Sequence, residues 1–343
     1  MAHVVLDMND QRPVWARPEW FARELRAALP DDWTLAVLDT PTEGTGDGTA
    51  RAHPAVLEAV RAARVYKGFG SAPEVLVEGP GIEWVHTGSA GVGSSLTATL
   101  RERAPHFTNS AGIHAAPMAE AVVGMVLHFT RGFDFAVRAQ QRGAWDTAPF
   151  YAAETPVREV SGMTIGILGL GGIGTEAGRR FVALGSRVLG LKRRPGPAPA
   201  GVEAVWGDDG WERILRESDA LVVTVPDTPE TRGMVGTEAF ARMKDGVILV
   251  NVARGRIVDE AALVSALRSG RLRGAALDVF AEEPLGPTSP LWTMDGVLIT
   301  PHVSPVSREF WTREADLVLH NLRCFLEDRP EEMRNRVDLD AGY

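Results

Sequence analysis

Two α/β domains, each built around a parallel sheet, are predicted by this sequence of 343 residues. Three observations carry the prediction. At about 100–200 residues per domain, the length fits two domains. Short apolar runs alternate with amphipathic segments in the first ninety residues and again after residue 164, the rhythm of βαβ units. A glycine-rich turn at 169–174 follows one of these runs directly and opens a helical segment.

Taken in order, Val4-Val5-Leu6 is the first strand-like run. Trp20, Leu25 and Leu29, with Ala22 and Ala28, make the apolar side of a helix that Pro30 ends. Residues 35–38 read as a strand and 41–48, with three glycines and two threonines, as a loop. A helix over 53–64 places Val56, Leu57 and Val60 on one face, and Val65-Tyr66 leads into a glycine turn. Residues 82–86 form a buried strand before the small-residue loop 88–93. From 114 to 142 a single long helix is expected, apolar on more than one face and therefore buried between domains or subunits. Six strands follow, at 164–168, 187–191, 220–225, 247–252, 274–278 and 297–300, which with their helices make a doubly wound sheet. Residues 310–326 form a tail helix, in which Cys324 is a small buried hydrophobe.

Composition excludes several classes. The net charge is −9 and the longest basic block is Lys192-Arg193-Arg194, so nucleic acid is not the expected partner. One cysteine can form neither an internal disulfide nor a cysteine-built metal site, and no metal is expected. No apolar run approaches 18 residues, so no membrane partner is expected. The first ten residues lack a basic flank and apolar stretch. A cytoplasmic protein is the expectation.

The glycine turn sits where a dinucleotide fingerprint needs it, between a strand and a helix. Gly169 permits the tight turn, Gly171 has no Cβ to hold a pyrophosphate away, and Gly174 lets the helix pack on the strand. The N–H groups at the helix start, Gly172 and Ile173 included, then face the phosphates. NAD sites usually carry an acid about 20 residues on, to bind the ribose hydroxyls. Here, 18 residues after Gly174, stand Lys192, Arg193 and Arg194, suited to gripping a 2′-phosphate. NADP(H) is therefore the preferred cofactor, with NAD(H) as the alternative. Downstream, Arg254, Asp278 with Glu283, and His302 each follow a predicted strand, the end at which open α/β sheets bind ligands. Together they suit hydride transfer.

These segments resemble the D-isomer-specific 2-hydroxyacid dehydrogenase family, nearest its NADPH-using glyoxylate/hydroxypyruvate reductase branch. The resemblance is carried by 166–174 (GILGLGGIG), 226–233 (PDTPETRG), 251–259 (NVARGRIVD), 276–285 (ALDVFAEEPL) and 300–302 (TPH), with 89–92 (SAGV) and 109–114 (NSAGIH) upstream. It implies two Rossmann-like domains, the dinucleotide-binding one (113–303) inserted into a discontinuous substrate domain (1–112 plus 304–343). It implies that Arg254 binds the carboxylate and carbonyl oxygen of a 2-oxoacid. His302 would be the general acid and also contact substrate, with Glu283 as its paired carboxylate. Asp278, Val225 and Pro226 would lie along the cofactor, and the backbone of Ala90 and Gly91 would hold the substrate carboxylate. The resemblance also implies a homodimer, with the long helix and Trp145 at the contact. A phosphite or formate dehydrogenase is the alternative within the fold, although formate enzymes have glutamine where Glu283 stands. A nucleotide-sensing corepressor is the alternative outside catalysis. No serine-sensing module is expected after the tail.

Overall fold

The computed structural model describes residues 2–40, 51–340 and 342; the loop expected at 41–48 lies outside them. The chain divides into two units, Met1–His114 with Val306–Tyr343, and Ala115–Pro305. Each has its own parallel sheet.

In the first unit the strands are β1 (Ala2–Asp7), β2 (Trp33–Val37), β3 (Val65–Gly68), β4 (Trp84–Thr87) and β5 (His106–Asn109), in spatial order β2-β1-β3-β4-β5 and all parallel. Helices α1 (Glu19–Ala27), α2 (Pro54–Val60), α3 (Pro73–Glu78) and α4 (Ala98–Arg103) connect them. Local chemistry sets the helix starts. Proline opens α2 and α3, where its missing N–H costs nothing, and the Thr97 hydroxyl accepts from the Leu100 N–H to cap α4. The tail helix, Phe310–Leu326, returns to this unit and packs Phe310, Leu317, Val318 and Leu322 against Val4, Leu6 and Trp84. Cys324 on that helix is buried.

In the second unit, α5 (Ala115–Thr130), α6 (Phe133–Gln141) and α7 (Ala148–Tyr151) precede the sheet. The long helix expected at 114–142 is thus two helices. Gly132, between them, sits at φ +68°, where a side chain would be strained and would meet Phe150 at 2.9 Å. The stripe Ala119, Val122, Val126 and Phe129 of α5 is buried within its own unit. The strands are β6 (Thr164–Leu168), β7 (Arg187–Lys192), β8 (Val202–Trp206), β9 (Ala220–Val223), β10 (Val247–Asn251), β11 (Leu272–Leu277) and β12 (Val297–Ile299). There are seven, not six. β8 was hidden because it is an edge strand with alternating exposure, following a proline-rich loop.

The order β12-β11-β10-β9-β6-β7-β8 reverses direction between β6 and β9, which makes that gap the switch point of the sheet. Helices α8 (Gly172–Ala183), α9 (Gly207–Glu217), α10 (Thr237–Arg242) and α11 (Glu260–Arg268) complete the layers. Ile165, Ile167, Val222 and Val250 face α5 and α8, while Leu221, Val223 and Leu249 face α9 to α11. Both faces of the sheet are covered, which is why its strands read as near-continuous apolar runs.

Candidate active site

At the switch point, β6 ends in the glycine turn. Gly169 takes φ +97°, and a Cβ on Gly174 would lie 1.9 Å from the Gly169 carbonyl oxygen. The third glycine is therefore required for closure of the turn on its helix. Gly171 is the N-cap of the twelve-residue α8 and faces open space, with nothing within 4 Å of an added Cβ. Gly172 is exposed and Ile173 half-buried at the start of that helix. Across the gap, the Thr224 hydroxyl donates to the carbonyls of Leu168 (2.9 Å) and Gly169 (2.8 Å), and Val225 would crowd a Cβ on Gly169. Pro226 follows, exposed. A tight turn, an open cradle and free helix N–H groups fit a dinucleotide pyrophosphate. At the end of β7, Arg193 and Arg194 are exposed, whereas the Lys192 ammonium donates to the Pro197 carbonyl at 2.7 Å, inside its own loop.

β10, β11 and β12 are parallel neighbours in register, Asn251 beside Leu277 and Leu277 beside Ile299. Arg254, Asp278 and His302 thus leave the sheet from three adjacent strands at one end. Asn251, buried, shapes the first loop: its Oδ1 accepts from the Ala253 N–H at 3.1 Å and its Nδ2 donates to the Arg254 carbonyl at 3.0 Å. The Arg254 guanidinium also donates to the Ala253 carbonyl at 2.8 Å. Gly255 then lies so close to the next loop that a Cβ would be 1.8 Å from the Phe280 carbonyl carbon. That contact joins the loop of Arg254 to the loop of Glu283.

Glu283 bridges onward. Its Oε1 accepts from the Phe280 N–H at 3.0 Å, and its Oε2 lies 2.8 Å from Nδ1 of His302. Both side chains are about one-third exposed, at 36% and 29%, so the pair is held but reachable. Asp278, wholly buried, directs its carboxylate to the loop beyond β12. Ala90 and Gly91 belong to the first unit, in the loop after β4, where Asn109 Nδ2 donates to the Ala90 carbonyl at 2.9 Å and the Ser89 hydroxyl donates to the Phe69 carbonyl at 2.7 Å.

Sequence reasoning gave no role to Thr224, nor to Asn251, Gly255 and Thr300 within the motifs 251–259 and 300–302, yet all four shape these loops. The available signal was a polar or glycine residue just where an apolar strand stops.

Residues 123–304 match the model of the D-isomer specific 2-hydroxyacid dehydrogenase NAD binding domain. A glyoxylate reductase of Korarchaeum cryptofilum is 34% identical over 255 residues, covering 74% of this chain and 75% of that protein. Proteins named D-3-phosphoglycerate dehydrogenase from Archaeoglobus fulgidus and Mycobacterium leprae also match, and this chain spans 49% of their length. Among solved structures, a D-isomer specific 2-hydroxyacid dehydrogenase from Xanthobacter autotrophicus Py2 in complex with NADPH and MES aligns with TM-score 0.79 and 30% identity, over 100% of this chain and 99% of that one. An NADPH-dependent glyoxylate/hydroxypyruvate reductase from Sinorhizobium meliloti, in complex with NADP and sulfate, aligns with TM-score 0.78 and 27% identity over the whole of both chains. The turn, the three strand ends and these likenesses agree: the chain belongs to the D-isomer specific 2-hydroxyacid dehydrogenase family of oxidoreductases.

Proposed function

We propose that this protein reduces a small 2-oxoacid of the glyoxylate or hydroxypyruvate kind to the D-2-hydroxyacid, with NADP(H) preferred over NAD(H). The observation that carries the reading is the Glu283–His302 pair, 2.8 Å apart on the end of the sheet from which Arg254 also projects. The bound nicotinamide supplies the hydride. Arg254 offers the substrate carboxylate and carbonyl a planar fork of donors. With Nδ1 of His302 taken by Glu283, Nε2 is the nitrogen that gives its proton to the carbonyl oxygen. Glu283, through its contact with Nδ1, orients the ring for this transfer.

The cofactor preference rests on Arg193 and Arg194, exposed beyond β7, with no acid in their place. The relatives named glyoxylate reductase and the neighbour solved with NADP support the substrate class and the cofactor. A second copy of the chain is the proposed partner. Phe133, Val137, Trp145 and Tyr151 are exposed near one another in sequence, Trp145 at 97%, and an apolar surface of that kind is usually covered. A reduced, buried Cys324 suits a cytoplasmic setting.

The test is oxidation of NADPH and of NADH, followed by absorbance, with glyoxylate, hydroxypyruvate, pyruvate and phenylpyruvate. Turnover with glyoxylate or hydroxypyruvate at higher kcat/KM for NADPH is expected. Tight NADPH binding with turnover of none of them contradicts the reading and favours a nucleotide sensor.

A further inference from the structure

Asn109 is buried at the end of β5, in register beside Thr87 at the end of β4. Its amide is oriented by its partners: Oδ1 accepts from the Ala111 N–H at 3.2 Å, so Nδ2 is the atom that donates to the Ala90 carbonyl at 2.9 Å. The next residue adds a second tie, its N–H reaching the Ser89 carbonyl at 3.3 Å. Two successive carbonyls of the loop after β4 thus turn toward the segment 109–110. In a trans peptide the carbonyl and the following N–H point in opposite directions. The N–H groups of Ala90 and Gly91 therefore point away from that segment, and among the described residues neither has an acceptor. Ala90 is exposed and Gly91 half-buried, so both N–H groups can be reached. Neighbouring backbone N–H groups turned the same way make a concavity that binds anions.

We propose that Asn109 is a positioning residue for substrate: by holding the Ala90 carbonyl it keeps the N–H groups of Ala90 and Gly91 turned outward to a carboxylate, that of the 2-oxoacid. This rests on the reductase reading above. The brace continues on both flanks. The Ser89 hydroxyl donates to the Phe69 carbonyl at 2.7 Å. Asn335, in the tail, accepts from the Asn109 N–H at 3.1 Å and donates through Nδ2 to the Ala111 carbonyl at 2.6 Å. Asn109 acts through the loop, within the first unit alone.

The experiment uses the full chain with Asn109→Ala and Asn109→Asp. Alanine removes the tie, whereas aspartate keeps the Ala111 contact and sets an oxygen against the Ala90 carbonyl at nearly constant volume. Three quantities are read: kcat and KM with glyoxylate and hydroxypyruvate, the Kd of the unreactive dicarboxylate oxalate for NADP⁺-saturated protein by titration calorimetry, and NADPH Kd by fluorescence quenching. In both variants KM and the oxalate Kd rise together, roughly 5–30-fold and more in Asn109→Asp, while kcat stays within about threefold and NADPH Kd within about twofold of wild type. If neither variant folds, Asn335→Ala, which removes the Nδ2 contact to Ala111, carries the test with the same split in weaker form. Wild type that binds no oxalate overturns the proposal, as does an oxalate Kd equal in wild type and variants. A fall in kcat as large as the rise in KM overturns it too. Should the wild type reduce no 2-oxoacid, the reductase reading fails, while the oxalate Kd of wild type against the variants still decides the role of Asn109.

Discussion

In the proposed reaction single residues carry the chemistry, because the sheet holds three loop starts fixed and leaves the side chains beyond them to be chosen. Arg254→Ala is expected to raise KM for the 2-oxoacid strongly and to lower kcat as well, because the guanidinium holds ground state and transition state alike; steady-state kinetics with glyoxylate checks this. A different residue, Asp7 at the end of β1, sets a pH dependence of stability. Burial pushes its carboxyl up to about 7 from 3.8, against the opposing Tyr66 hydroxyl (2.8 Å) and Arg17. A carboxyl whose folded pKa is raised binds its proton more tightly in the native state, so its contribution is complete below pH 3.8 and is lost as pH rises to about 7. The loss amounts to about 4 kcal/mol at most. Asp7→Asn, which keeps an acceptor for Tyr66, should therefore gain stability relative to wild type across that window and level off above it. Urea denaturation at pH 5 and pH 8 measures the difference, and an equal effect at both contradicts it.

At the scale of elements, loops are positioned by backbone approach more than by side chains. Gly255 is the clearest case: Gly255→Ala puts a methyl into the Phe280 backbone, so one of the two loops must move. Lower stability and loss of turnover together are expected, with thermal unfolding and kinetics as the readouts. The proposed counterpart for the cofactor is the loop after β7. Arg193→Ala with Arg194→Ala should abolish the preference for NADPH over NADH while leaving NADH turnover near its original value; an unchanged preference sinks the assignment. Most elements could be read from the sequence because both faces of the second sheet are covered, which writes each inner strand as an apolar run. β8 escaped because an edge strand needs no such run, and the break at Gly132 escaped because a lone glycine inside an apolar helix does not reveal its φ. In the first unit, α3, α4 and β5 are four to six residues long, too short for periodicity to declare them.

For the whole molecule, the discontinuous first unit depends on a buried polar interlock between its tail helix and its sheet. Glu314 on the tail helix lies 2.8 Å from His86 Nε2 and accepts from the Ser110 hydroxyl at 2.6 Å, all three side chains without exposure. Burial alone would raise the Glu314 carboxyl, but His86, Ser110 and Lys67 overcome it and hold it below the ordinary range. Burial drives Lys67 well below its usual pKa, over the face of Trp84 at 3.5 Å. Glu314→Ala leaves those donors buried without an acceptor and should cost about 3–5 kcal/mol in urea denaturation, a large share of a domain's stability. None of this was visible in the sequence, where Lys67, His86 and Glu314 are separated by up to 247 positions. The residues of the candidate site were easier to name than to explain. Arg254, Glu283 and His302 stand out as polar groups after apolar strands, whereas the work of Asn251, Gly255 and Thr300 appears only once adjacent strands are in register.

In the proposed reaction the His302 imidazole, held by Glu283, gives its proton to the 2-oxoacid. The most direct measurement is kcat with glyoxylate or hydroxypyruvate alongside NADPH Kd, for wild type and His302→Ala. A fall in kcat of roughly 10²–10⁴-fold with unchanged cofactor affinity is expected; wild-type turnover in His302→Ala rules out the histidine as proton donor.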